Sequence, residues 1–232
     1  MGVPSDLLPS LVGVAVLTVI GVTVLIVFRV PDPSAPAWAI LRGAVQLAAI
    51  SFVLSGIISN PFWIAAALAV MFVVASTVAA HRVGWSWTVL AQTGLAILAG
   101  AATTMLVVFG TGALELTARF ALAIGAIIIG NAMSVATLTG RNFTTAVVDH
   151  WDEVEGWLAV GATPRQSTVH LARRAIRDAL VPSIDQTKTT GLVVLPGAFV
   201  GAIFGGLSPL EAGRFQIVVL AGILATGTSP HR

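Results

Sequence analysis

Four of the ten acidic residues of this chain, Asp149, Asp152, Glu153 and Glu155, fall within seven positions of the stretch DHWDEVEGWLAVGAT, while charged residues make up only 9% of the whole. Carboxylates grouped in this way either keep an ordinary loop in water or offer negative charge to a partner, and spacing alone leaves both readings open. Little else in the chain offers chemistry. Cysteine is absent, which removes disulfides, thiolate reactions and cysteine metal sites together. His81, His150, His170 and His231 all fall outside the apolar runs, so a metal held by fixed ligands inside a membrane would find no imidazole there. Met71, Met105 and Met133 do lie inside those runs, but a thioether in such a place is far more often packing than ligand. The sequence therefore assigns no metal ligand. It contains no HExxH, no GxSxG and no carboxylate pair within an apolar run, which speaks against an intramembrane enzyme. It also lacks a GxxxxGK[ST] phosphate loop, so the chain does not bind ATP in that way.

Polar groups within apolar helices are costly, and each one carries a functional hypothesis. Asn131, in GNAMS, either lines a pathway or hydrogen-bonds a neighbouring helix. Arg42 and Gln46, one helical turn apart, form a cation-and-amide pair near the inner mouth, or the arginine simply snorkels to the surface. Gly197, Gly201 and Gly205 recur every four residues behind Pro196 and make a flat face for close helix packing, at a seam between two copies or within one. Asp185 and Lys188, in IDQTKT, form a local ion pair or a relay into the membrane.

The elements that position these residues are long apolar helices. Hydrophobic residues make up 56% of the 232, far above the balance of a soluble domain. A bilayer core of about 30 Å takes roughly 20 helical residues, and runs of that order recur along the chain. Seven spans are expected, at about 7–28, 37–58, 62–80, 86–109, 116–138, 190–207 and 212–226, giving an all-α polytopic membrane protein built as one membrane domain. RVPDPSAP, SNP, HRVGW, GTGALE and SPLEAGR are the breaks between them. The first run has no basic residue before it and no small-residue cleavage site after it, and reads as a retained span. The last run is short and stops at TGTSPHR.

Between the fifth and sixth runs, residues 139–189 form the one sizeable water-facing element, and 141–189 hold just over half of the charges. Phe143, Val147, Trp151, Val154 and Leu158 share one face of a first helix there. Gly161 suits its end, while Thr163 as cap and Pro164 in the first turn suit the start of a second helix. In that second helix Val169, Ala172, Ile176, Ala179 and Leu180 make an apolar stripe beside Arg173, Arg174 and Arg177, and Pro182 is expected to end it. Lys and Arg near span ends mark the cytoplasmic side. With the N-terminus outside, the inner loops collect nearly all of them, and only Arg119 and Arg214 remain outside. The charged segment and the C-terminus are then cytoplasmic, the membrane is the cell's inner membrane, and the scattered arginines form no nucleic-acid face.

IIIGNAMSVATL, EVEGWLAVGAT, ALVPSIDQTKTTGLVVLPG and SPLEAGRFQIVV, in this order, resemble the FetB-type permease family of ABC transporters, which has plant relatives linked to aluminium tolerance. The first half of the chain agrees mainly in span count and in Arg42 with Gln46. The resemblance implies a permease subunit, of iron or related-metal export, that pairs with itself and binds a separate ATPase subunit. ATP and Mg2+ would sit on that subunit, and this chain would bind no cofactor. The resemblance also implies that Asp149, Asp152, Glu153, Glu155 and Gly161 belong to a coupling segment. Glu155 and Gly161 keep the Glu-to-Gly interval of many permease loops, although both alanines of that motif are missing. Family members tend to continue beyond the point where this chain stops. The alternative reading is a passive channel or an ion-coupled carrier, against which stands the lack of acidic or basic residues near span centres.

Overall fold

A computed structural model describes residues 7–57 and 61–227; most of the SNP turn, together with His231 and Arg232, lies outside them. The chain divides into two compact units, Met1–Ile58 and Ser59–Arg232.

The first unit is a pair of helices, α1 (Leu7–Val27) and α2 (Ala35–Ile57). α1 ends where Arg29 turns left-handed (φ 54°), with Val30 N–H bonded to the Leu25 carbonyl at 3.0 Å and Arg29 N–H to that of Ile26 at 3.0 Å. This double bond satisfies carbonyls that the helix end would leave bare. Prolines 31, 33 and 36 keep the chain from resuming the same helix.

The second unit is built round one long helix. α3 (Pro61–Val83), α4 (Trp87–Gly110), α5 (Ala118–Asp149), α6 (Trp151–Ala159), α7 (Pro164–Thr189), α8 (Gly197–Phe204) and α9 (Pro209–Gly227) follow in order. α5 packs on α3, α4, α7 and α9. The core consists of small and branched residues, with Ala79, Ile97, Ile124, Ile128 and Ala212 essentially inaccessible. Caps fit the residue types: Ser86 accepts from Val89 N–H (3.1 Å), Thr117 from Phe120 N–H (3.3 Å), and Ser208 forms a reciprocal box with Glu211.

Among the described residues, five helices are long and apolar enough to cross a membrane: α1, α3, α4, α5 and α9. α2, at 23 residues, also has the length. The sequence-based expectations are corrected at three points. The helix of the fifth span does not end with the apolar run near Leu138, and α5 continues unbroken to Asp149. Gly140 lies within this helix and lets α3 approach, since a Cβ on it would meet the Val83 side chain at 2.6 Å. Pro182 does not end α7, which continues to Thr189. The ring costs one backbone bond, while the Thr187, Thr189 and Thr190 hydroxyls bond carbonyls of the following turns at 2.7 to 3.0 Å. Finally, 190–207 is not one spanning helix. After a non-helical stretch the chain forms only the eight-residue α8, about 12 Å long. Gly191 at φ 84° and Pro196, which has no N–H to give, interrupt it.

Helix association in a bilayer rests on close packing and interhelical hydrogen bonds, because lipid is as apolar as the helices. The α4–α9 seam uses both. Thr104 and Thr226 hydroxyls lie 2.9 Å apart, Thr226 also reaches the Gly100 carbonyl at 3.4 Å, and a Cβ on Gly100 would collide with Thr226. The Gly100→Val variant is therefore expected to lose about 1–3 kcal/mol of stability through overpacking, read as a lower unfolding temperature in detergent. Gln216 shows the opposite situation: it is 5% exposed and its Oε1 has no hydrogen-bond partner. Gln216→Leu is expected to raise the same unfolding temperature, since an unsatisfied buried acceptor costs about 1–3 kcal/mol.

Candidate functional site

Past Gly140, α5 carries the chain through nine further residues to Asp149, and a single residue, His150, separates it from α6. His150 is off the helical path (φ −114°, ψ 31°), and its Nδ1 lies 3.0 Å from the Ala146 carbonyl. Its own carbonyl accepts from Glu153 and Val154 N–H, both at 3.1 Å, so the chain changes direction without leaving polar backbone unpaired. α6 ends as its sequence requires. Gly161 takes φ 92°, Ala162 N–H bonds the Trp157 carbonyl and Gly161 N–H that of Leu158, each at 3.0 Å. α7 then starts from a full capping box, Thr163 N–H to Gln166 Oε1 at 2.9 Å and Gln166 N–H to Thr163 Oγ1 at 3.3 Å, with Pro164 in the first turn.

The resulting bend is a rigid knuckle. Val154 (3% exposed) is the one buried residue of α6, and α6 packs on α7, where Ser167 and Leu171 are also buried. Glu153 Oε1 lies 3.3 Å from His170 Nε2, a half-exposed pair across the two helices. Such a contact contributes at most about 1 kcal/mol, so packing of Val154 rather than charge holds the bend. Asp152 and Glu153 occupy the first turn of α6, where the helix dipole favours acids. Asp152, Glu153 and Glu155 are exposed, and Asp149 borders a groove shared with Asn142, His150, Arg174 and Asp178.

Only Val154 of the expected apolar face is buried. Phe143 and Val147 are half-buried, while Trp151 and Leu158 are exposed. Trp157 and Val160 join them at the surface, the latter 78% exposed. Sequence reasoning did not single out these last two as site residues; an aromatic beside a cluster of acids was the available signal.

The structure does not gather the other candidates around the knuckle. Asn131 lies on α5, half-buried, and its Nδ2 donates to the Ile127 carbonyl of its own helix at 2.8 Å. Met133 packs against the main core. Arg42 and Gln46 sit exposed on α2, in the first unit. A Cβ on Gly197 or Gly201 would meet nothing within 4 Å, and one on Gly205 would meet only its own helix. The glycines that do admit a neighbour are Gly100, Gly125, Gly140, Gly222 and Gly227. Among the described residues, no group of three or more His, Asp or Glu side chains is placed to hold a metal ion. Asp185 and Lys188 pair at 3.2 Å with both side chains largely exposed.

Apolar helices of crossing length, joined by short capped turns, with one charged helical bend beyond them, define a multi-pass membrane protein. The chain belongs to the family described as "Uncharacterised protein family (UPF0014)", which it matches over residues 8–229. It is 37% identical to Protein ALUMINUM SENSITIVE 3 of Arabidopsis thaliana over 193 residues, 82% of this chain and 71% of that protein. It is 37% identical to the rice UPF0014 membrane protein STAR2, covering 82% of this chain and 68% of that one. To the "Probable iron export permease protein FetB" of Escherichia coli K12 it is 33% identical, over 82% of this chain and 74% of that protein. No solved structure matches.

Proposed function

We propose that this chain is the membrane subunit of an ATP-driven transporter, that two copies enclose the path, and that a separate ATPase subunit grips the α6 knuckle. The observation that carries this reading is the knuckle's surface: exposed carboxylates interleaved with exposed Trp151, Trp157 and Val160 on a bend fixed by buried Val154. Surfaces that dock tightly combine aromatic anchors with complementary charge, and a chain without a phosphate loop takes ATP's energy from a partner. ATP and Mg2+ belong on that partner. The knuckle is cytoplasmic, following the arginine bias, and the N-terminus is outside in the cell's inner membrane. Gly197, Gly201 and Gly205, unoccupied within one copy, are offered to the second copy. The cargo is iron or a related metal moving outward. This rests on the name of the Escherichia coli relative, with aluminium in the name of the Arabidopsis one.

Coexpression with a candidate ABC-type ATPase subunit from the same genome tests the assignment. A tagged chain is expected to bring down that ATPase in equal amount, and cells carrying both are expected to hold less metal under metal excess. A chain that purifies free of any ATPase, under conditions that keep known transporters whole, is instead a channel or carrier.

A further inference from the structure

Contacts within the second unit rank its residues by depth. Phe120 stacks on Phe215 (centroids 5.8 Å apart), Gly125 faces Leu68, Gly222 faces Thr104 and Ile128, Gly227 faces Leu180 and Val135, and Gly140 faces Val83. Arg119 and Arg214 stand at one end of this ladder, Arg82 and Arg141 at the other. Between Arg119 and Arg141 α5 rises about 33 Å, close to the thickness of a hydrocarbon core.

α7 enters this ladder from the knuckle, antiparallel to α5. Ala175 shares a groove with Ala146, and Leu180 clusters with Val135, which lies five residues inside Gly140. Continuing past Leu180, α7 carries Asp185 about 15 Å and Lys188 about 20 Å from the Arg141 end. The other side gives the same depth. α8 lays Ala198 and Ala202 on the core that contains Phe215 and Val219, then turns through Gly206 into α9. This arrangement makes α7 and α8 two halves of one crossing, broken at 190–196 near the midplane, and brings Asp185 and Lys188, which the sequence reading kept in the water-facing segment, inside it.

That depth is incompatible with lipid. The side chains of Asp185 and Lys188 are 61% and 69% exposed, and Leu192 and Val193 on the interrupted backbone are 91% and 81% exposed. A non-helical backbone and an ion pair persist at membrane depth only where protein buries them or water reaches them. We propose that the second half of α7 lines a water-filled path and that Asp185 is a binding station in it for hard, oxygen-liganded cations, with Lys188 neutralising the carboxylate when no cation is there. This rests on the transport reading above and gives it a location. A carboxylate beside the hydroxyls of Thr187, Thr189 and Thr190 offers the oxygen donors such cations prefer.

The chain's lack of cysteine makes the test clean. Single cysteines are placed at Thr189, at Glu155 on the knuckle and at Leu106, an exposed apolar residue of the crossing-length helix α4, and inverted vesicles are treated with membrane-impermeant thiosulfonates, one cationic and one anionic. Reaction needs the thiolate, which forms in water and not in lipid. Thr189→Cys is expected to react within about tenfold of the Glu155→Cys rate, and Leu106→Cys only after detergent. With Lys188→Gln added, the cationic reagent is expected to lead the anionic one at Thr189→Cys by at least about tenfold, and Asp185→Asn is expected to erase that lead. A silent Thr189→Cys in vesicles whose Glu155→Cys reacts overturns the proposal, as does a charge preference indifferent to Asp185→Asn. Neither measurement needs the ATPase or a cargo, so failure here is separate from failure to recover an ATPase partner.

Discussion

The double variant Glu153→Lys, Glu155→Lys is expected to reach the membrane at normal levels and yet release the ATPase proposed to grip the knuckle. Both side chains are exposed and neither is packed in the core, so the fold has little to lose. The only described contact affected is the half-exposed pair of Glu153 with His170. At a charged interface, placing like charges where opposite ones met costs several kcal/mol, equivalent to about a hundredfold or more in affinity. The measurement is the amount of ATPase retained on the tagged chain, together with transport-linked ATP hydrolysis. Full retention and wild-type transport by this variant would show the carboxylates to be mere solvation of a loop.

Val154→Asp is expected to have an effect of similar size by a different route. Val154 is the one α6 side chain buried in the bend, so a carboxylate there must either be dragged into an apolar site or pull α6 off α7. An unpaired buried charge costs several kcal/mol, more than a nine-residue helix can offset, since helices that short are marginal without tertiary support. The membrane helices do not depend on this contact. The expected result is an unchanged unfolding temperature for the transmembrane part, rapid proteolysis within 150–163, and no ATPase recovered. Val154→Ala removes volume without adding charge and is expected to fall between. Intact resistance to protease in Val154→Asp would mean that something other than this packing holds the bend.

Local chemistry made parts of the fold readable in advance. Thr163 with Pro164 marks a helix start and Gly161 a helix end, because capping depends on a few neighbouring atoms, and both stand where expected. Long apolar runs announced α1, α3, α4 and α9, although α9 begins three residues earlier than expected. What failed to show depends on neighbours distant in sequence. The four-and-three spacing of Phe143, Val147, Trp151, Val154 and Leu158 identifies a helix face but not which part of it another helix covers, and α7 covers only the Val154 stretch fully. Pro182 looked like a stop because its local cost is real, yet packing of Ala179 and Leu180 on Val135 carries α7 through it. The run 190–207 is apolar enough to read as a span, but Gly191 and Pro196 divide it. The acidic cluster was visible from composition alone, whereas the tryptophans beside it became notable only once the fold left them uncovered.

α5 reaches from the Arg119 level to the knuckle as 32 consecutive helical residues, about 48 Å of stiff strut with no hinge in its length. A tilt of about 10° about its Arg119 end would sweep its Asp149 tip through about 8 Å. Since α3, α4 and α9 all lean on this one member, a stroke delivered at the tip is shared by the whole second unit at once and is not absorbed in a loop on the way.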